Sequence, residues 1–194
     1  MAQLVLAVAG AYLMPANPVM GFSTGWTVGS VLFPPPGPDI GRLNDLSVMG
    51  SSYGTMIPIV YGQVRVGSVL IWTTPLEEHS SSVGKGGGGA TEYSYTASFA
   101  VAACAGSITE IKKIWVEDIL LYENETWSEH VTGRIYLGDE EQVADPLIAG
   151  IEGETSTPGY RGLAYVVFED LGLEKWGNRI PQVSFEVNRA RGWL

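Results

Sequence analysis

Residues 182–188, QVSFEVN, alternate strictly between polar and apolar side chains. Val183, Phe185 and Val187 fall on one side of an extended chain, and Gln182, Ser184, Glu186 and Asn188 on the other, the two-residue period of a half-buried strand. Upstream, Gly162 to Phe168 is a run of small, β-branched and aromatic residues that reads as a second strand. Between them Gly172, Gly177 and Asn178 supply turn conformations that most residues resist. Pro181 removes a backbone donor and holds Ile180 extended. A strand led by proline is expected at a sheet edge, where the missing N–H serves no ladder. The rest of the chain is read as built around this pair of strands.

At 194 residues the chain has the length of one domain and can bury roughly two thirds of its unfolded surface. Its 25 glycines, 11 prolines and 9 tyrosines favour a strand-rich fold with many turns over a helical bundle. The net charge of −10 argues against a protein that grips nucleic acid through its phosphates. The single Cys104 rules out an internal disulfide, and its apolar surroundings predict a buried, inert thiol.

Residues 1–38 carry no charged side chain, Asp39 being the first. Three readings stay open for this segment. The first is a Gly-rich extended arm. The second is a helix, with Gly21, Gly25 and Gly29 forming a smooth stripe that another helix or a membrane contact would use. The third is the apolar core of a cleaved signal, against which stand the lack of a preceding Lys or Arg and the position of Ala7 and Ala9 inside the run. Pro15 and Pro18 interrupt the apolar stretch well short of the ~20 residues of a membrane span. Pro34, Pro35, Pro36 and Pro38 follow as a stiff spacer. The chain therefore divides into an apolar arm and spacer, 1–41, and a β-rich domain, 42–194, with a long loop at 75–91.

Within that domain, 42–51 is an entry segment and SSYGTMIPIVYGQVRVGSVLIWTT one or two strands bent near Gly67. Residues 84–89, GKGGGG, lack the spacing and the Ser or Thr of a phosphate loop and read as a mobile hairpin tip. The return strand places Tyr93, Tyr95, Ala97, Phe99, Val101 and Ala103 on one face, and pairing it with the strand ending at Trp72 predicts a long two-stranded arm. Ile111 to Trp115 and Ile119 to Tyr122 form a hairpin across Glu117 and Asp118, and Val131 to Leu137 is a further strand. Asp139, Glu140 and Glu141 then precede a one- or two-turn helix, near whose N-terminus the dipole favours them and which Pro146 limits. Trp72, Trp115 and Tyr165 are expected in the core. Trp26 and Trp193, outside any alternating run, are expected to contact a neighbouring chain.

No constellation for catalysis emerges. His79 beside Glu78 and His130 beside Glu129 are the nearest approach to metal-binding pairs, and nothing in their spacing brings them together. The acidic pairs Glu77–Glu78 and Glu140–Glu141 sit in no hydrolase frame, since neighbours on a strand point to opposite faces. No nucleophile elbow, zinc-protease helix or dinucleotide fingerprint occurs. No catalytic residue, metal ligand or cofactor site is assigned.

Four stretches in order, SSYGTMIPIVYGQVRVGSVLIW, IWVEDILLYE, IYLGDEEQVADPLI and YRGLAYVVFEDLGLEKWGNRIPQVSFEV, resemble the N-terminal region of the tail-tip hub proteins of long-tailed bacteriophages and gene transfer agents, the family of phage tip attachment proteins. The resemblance runs from about Arg42 to Val187. Two departures stand out. Hub proteins continue for hundreds of residues past the FEV strand, and they often carry an acidic-Gly turn where this chain has Val116, Glu117 and Asp118. The resemblance implies a mainly β domain, β-barrel-like or a twisted antiparallel sheet, with a long hairpin arm and one or two short helices. It further implies a structural, non-enzymatic virion protein at the tail tip. Such a hub is a homotrimer that joins the tail tube or distal tail protein to other tip and baseplate proteins around a channel for the tape-measure protein and DNA.

On that reading Gly21, Gly25, Gly29, Trp26, Tyr93, Tyr95 and Trp193 are interface candidates, and Asp139, Glu140 and Glu141 would line the lumen, past which DNA slides without being held. The rival expectation is a tail-associated envelope- or carbohydrate-binding module or cell-wall hydrolase component, which requires a concave aromatic platform.

Overall fold

In a computed structural model of the chain, residues 2–33, 39–40, 55–83 and 90–190 are described, with residues 39, 40, 82, 83 and 90 by their backbone alone. The entry segment 42–51, the proline spacer, the glycine loop 84–89 and Trp193 lie outside the described residues. The elements in order are α1 (Ala2–Leu13), α2 (Pro18–Leu32), β1 (Asp39–Ile40), β2 (Gly62–Gly67), β3 (Val69–Thr73), β4 (Glu77–Val83) and β5 (Ala90–Ala105). There follow β6 (Glu110–Val116), β7 (Ile119–Glu123), β8 (Thr126–Trp127), β9 (Thr132–Tyr136), α3 (Pro146–Glu152), β10 (Leu163–Gly172), a 3-10 turn (Glu174–Trp176) and β11 (Val183–Arg189). They form two compact units, Met1–Arg42 with His79–Tyr93, and Leu43–Glu78 with Ser94–Leu194.

The expectation of a mainly β fold holds, in the form of two largely antiparallel sheets. One follows the order β1-β5-β10-β9, with β3 and β4 also on β5; the other follows β2-β11-β6-β7-β8. β3 pairs with β5 in the register Trp72 opposite Ala100. The hairpin arm is longer than the sequence indicates, because the polar residues Glu77–Val83, read as loop, form β4. Among the described residues there are three α-helices, α3 in the second unit and α1 and α2 in the first.

Residues 97–104 and 164–168 are buried without alternation, because both faces of β5 and β10 are covered. On one face Phe99 lies opposite Phe168, ring centroids 5.0 Å apart. Trp127 of the other sheet meets the Phe168 ring edge-on at 5.7 Å. The same indole lies over Gly133, where a Cβ would collide with it. On the opposite face Ala100, Tyr165 and Val167 pack with Ile148 of α3. Each large side chain buried here contributes about 1.5–3 kcal/mol.

The two strands at the centre of the sequence reading are not partners. β10 belongs to the first sheet and β11 to the second, so the corner between them is a crossover, turned by Gly177 and Asn178 at φ 67° and 56°. The edge position expected for the strand after Pro181 is also corrected. β11 is an interior strand between β2 and β6, and its first ladder residue is Val183, two residues past the proline. The missing N–H is therefore never required. The bend near Gly67 likewise separates strands of different sheets: β2 pairs with β11, β3 with β5, and between them Ser68 N–H donates to the Val183 carbonyl at 3.0 Å.

The short helix is displaced from its expected position. α3 begins at Pro146 instead of ending there, and its N-cap is Asp145, whose carboxylate accepts from the Leu147 and Ile148 amides. Proline suits the first helical turn because its absent N–H has no partner there. Asp139, Glu140 and Glu141 lie upstream of α3, outside its first turn.

Candidate functional site

The N-terminal segment is a helical hairpin, which replaces the extended-arm reading. Its two helices meet through the glycines at spacing four. A Cβ on Gly21 would strike the Gly10 carbonyl, one on Gly25 the Leu6 carbonyl, and one on Gly29 would lie 3.0 Å from Gln3 Cα. Gly21, Gly25 and Gly29 thus contact a helix of their own chain. Trp26 is 44% exposed and stacks on Phe22. Among the described residues no helix is long and apolar enough to cross a membrane.

On the hairpin arm the two tyrosine candidates part. Tyr93 is half-buried. Tyr95 is buried in its own chain, and its hydroxyl donates to Glu78 Oε2 at 2.8 Å, so it is a core residue and not an outward contact. Asp139, Glu140 and Glu141 are exposed together. Tyr165 is fully buried as expected, whereas Trp72 and Trp115 are half-buried. Trp72 donates to Glu152 of α3 at 3.0 Å, and Trp115 carries the Arg65 guanidinium 4.1 Å over its ring. Cys104 is buried, and burial pushes its thiol up against the smaller opposing pull of Arg189. The burial is as the sequence indicates, and it favours the neutral thiol over the reactive thiolate.

The polar centre of the second unit was not legible in the sequence. Asp145, with no exposed surface, accepts from Arg134 Nε at 2.7 Å, Arg134 Nη2 at 3.2 Å and the Tyr136 hydroxyl at 2.8 Å, besides capping α3. Arg134 Nη1 reaches Glu169 at 2.6 Å. Burial alone would raise the Asp145 carboxyl, but the hydrogen bonds from Arg134, Tyr136 and the Ile148 amide outweigh it and hold the group below its ordinary range. Burial, then the bond to Asp145, pushes the Tyr136 phenol up to about 12. The network joins β9, β10 and the start of α3.

Nearby, buried Gln142 accepts from Gly138 N–H at 2.7 Å and donates to the carbonyls of Gly159 and Tyr160 at 2.9 and 2.8 Å, tying the loops on either side of α3. Asp145 and Gln142 belong to no sequence period, and the register of β9 against β10 brings together only Arg134 and Glu169.

Arg65, Glu117, Asp118, Arg179 and Gln182 line an open groove of about 450 Å³. Arg179 is paired with Glu117 at 2.7 Å, and Arg65 donates to Ser184 Oγ from Nε and Nη2 at 3.1 and 2.8 Å. Glu117 holds the left-handed conformation, φ 53°, that glycine favours at the first position of a tight hairpin turn. Among the described residues no group of three or more His, Cys, Asp or Glu could hold a metal ion. His79 and His130 are both exposed.

Two sheets, with a buried ion network under one short helix, make up the β scaffold of the second unit. The chain is similar to a chain in the virion of a native gene transfer agent (GTA) particle, with 33% sequence identity over 93% of its length and a TM-score of 0.57. The match takes in 39% of that chain, so the present sequence spans about two fifths of its length. No family model matches the chain. No curated protein matches it either. The likeness to the particle's chain supports a structural protein of a phage or GTA-type virion.

Proposed function

We propose that this chain is a hub subunit of a tail tip, built into the virion where the tail tube narrows to its distal end. The observation that carries the reading is the 33% identity over nearly the whole chain with a component of a GTA virion. The four hub-like stretches, present in order between Arg42 and Val187, support the tail-tip position. Three copies would surround the channel, contacting the tail tube or distal tail protein and the tape-measure protein, with no catalysis involved. Asp139, Glu140 and Glu141 would face the lumen, where acidic groups repel passing DNA and deny it a stationary contact.

The test has two arms. Mass photometry and electron microscopy of the purified chain and of assembled tails should show a trimeric ring at the tip. A monomer absent from tails would overturn the assignment. In the second arm, gel retardation at low ionic strength should show no shift of duplex DNA. A salt-sensitive shift would mean that Arg161, Arg179, Arg189 and Arg191 gather on one face despite 11 basic against 21 acidic residues.

A further inference from the structure

The helical hairpin α1–α2 has an outward surface unlike that of a soluble helix pair. Its inner faces are consumed by the backbone contacts at Gly10, Gly21 and Gly25. At 100° per residue, Val19, Met20, Phe22, Val28 and Val31 spread round the remaining circumference of α2, all of them exposed. On α1, Leu4, Val5, Val8 and Tyr12, all exposed, gather within about 100° on the side away from Gly10. A protein groove covers one side of a helix and leaves the other wet, so it selects an apolar stripe with a polar back. The back of this hairpin carries no charge, and its only polar groups on α2 are the hydroxyls of Ser23, Thr24, Thr27 and Ser30.

Its hydroxyls point the same way. All four Ser and Thr of α2 donate to carbonyls of their own helix: Ser23 and Thr24 to Met20 at 3.0 and 2.9 Å, Thr27 to Thr24 at 2.9 Å, and Ser30 to Thr27 at 2.8 Å. Polar hydrogens satisfied internally are what a medium without water demands. Gln3 closes the open end by donating to the Phe33 carbonyl. The first charge, Asp39, lies beyond that end.

The lengths set the depth. Twelve and 15 residues make helices of roughly 18 and 22 Å, short of the ~30 Å hydrocarbon core and longer than one of its leaflets. We propose that the hairpin enters a phospholipid bilayer as a unit, turn first, and lodges chiefly in one leaflet without crossing. The attraction is apolar and owes nothing to headgroup charge. No Lys or Arg occurs before Arg42, and the chain as a whole carries −10. The inference rests on the hairpin alone and is independent of the tail-tip assignment.

The test is flotation of the full chain with phosphatidylcholine vesicles. The chain should float at low and high salt alike. Val8→Asp with Val28→Asp, both at outward positions, should lower the bound fraction about tenfold, since a charge is costly in hydrocarbon. Val28→Leu should leave binding intact. A second measurement does not depend on the aspartate variant folding. Brominated phosphatidylcholine should quench part of the tryptophan fluorescence, and Trp26→Phe should remove that part.

A wild-type chain that stays with the soluble fraction would overturn the proposal. So would binding that requires anionic lipid and vanishes with salt, or quenching unchanged in Trp26→Phe. Oligomers that form without lipid, and that the aspartates dissolve, would show instead that hairpins cover one another.

Discussion

Asp145 caps α3 and at the same time accepts from Arg134 and Tyr136, so one buried carboxylate holds a helix to a sheet. Asp145→Ala removes the cap and leaves Arg134 with Glu169 alone. Because the Arg134 side chain is 30% exposed and water can recover part of the loss, a cost of about 2–4 kcal/mol is expected, read by denaturant unfolding.

The pH dependence follows from the direction of each shift. The folded-state pKa of Asp145 is depressed, so its contribution is full above the unfolded value near ~4 and is lost as pH falls below it. The Tyr136 phenol is raised, so its contribution is full below the unfolded value near ~10 and is lost as pH climbs toward about 12. Asp145→Asn should flatten the acid limb of the stability profile. An acid limb unchanged in that variant would place the sensitivity elsewhere.

At the scale of elements, β4 and β5 behave differently along their lengths. From Ala97 to Cys104, β5 is buried on both faces, whereas β4 is exposed from Glu77 to Ser81. A polar strand of this kind is held by its ladder and contributes little to the core. Deleting Ser81 to Ala90 and closing the gap should therefore leave the thermal transition of the second unit within a few degrees of wild type, while ring or tail assembly falls. Tails that assemble normally would show that the arm's end is dispensable. A collapsed transition would show that it is part of the fold.

For the whole molecule, the division into two compact units carries its own expectation. The core of the second unit, from Phe99 and Phe168 to Ile148 and Tyr165 with Ile71 and Trp72 packed against it, is built from that unit's own residues. Removing residues 1–33 should therefore leave a soluble domain with wild-type near-ultraviolet dichroism. An insoluble or molten product would show that the hairpin completes that core.

Periodicity in the sequence was enough for β6, β7, β9 and β11, because alternation is local, but not for the two-residue β8. The glycine spacing at 21, 25 and 29 likewise stated that a helix could be approached closely, without stating by what. Three things waited for tertiary structure. Which sheet each strand joins is set by pairing across the fold, so β10 and β11, adjacent in sequence, part company, and Pro181 leads an interior strand. Whether a polar run such as Glu77–Val83 is strand or loop depends on a ladder partner supplied by β5. Whether Asp145 is one more surface acid or the buried acceptor of five hydrogen bonds depends on where β9 and the first turn of α3 place Arg134, Tyr136 and two amides around it, a convergence that no local pattern encodes.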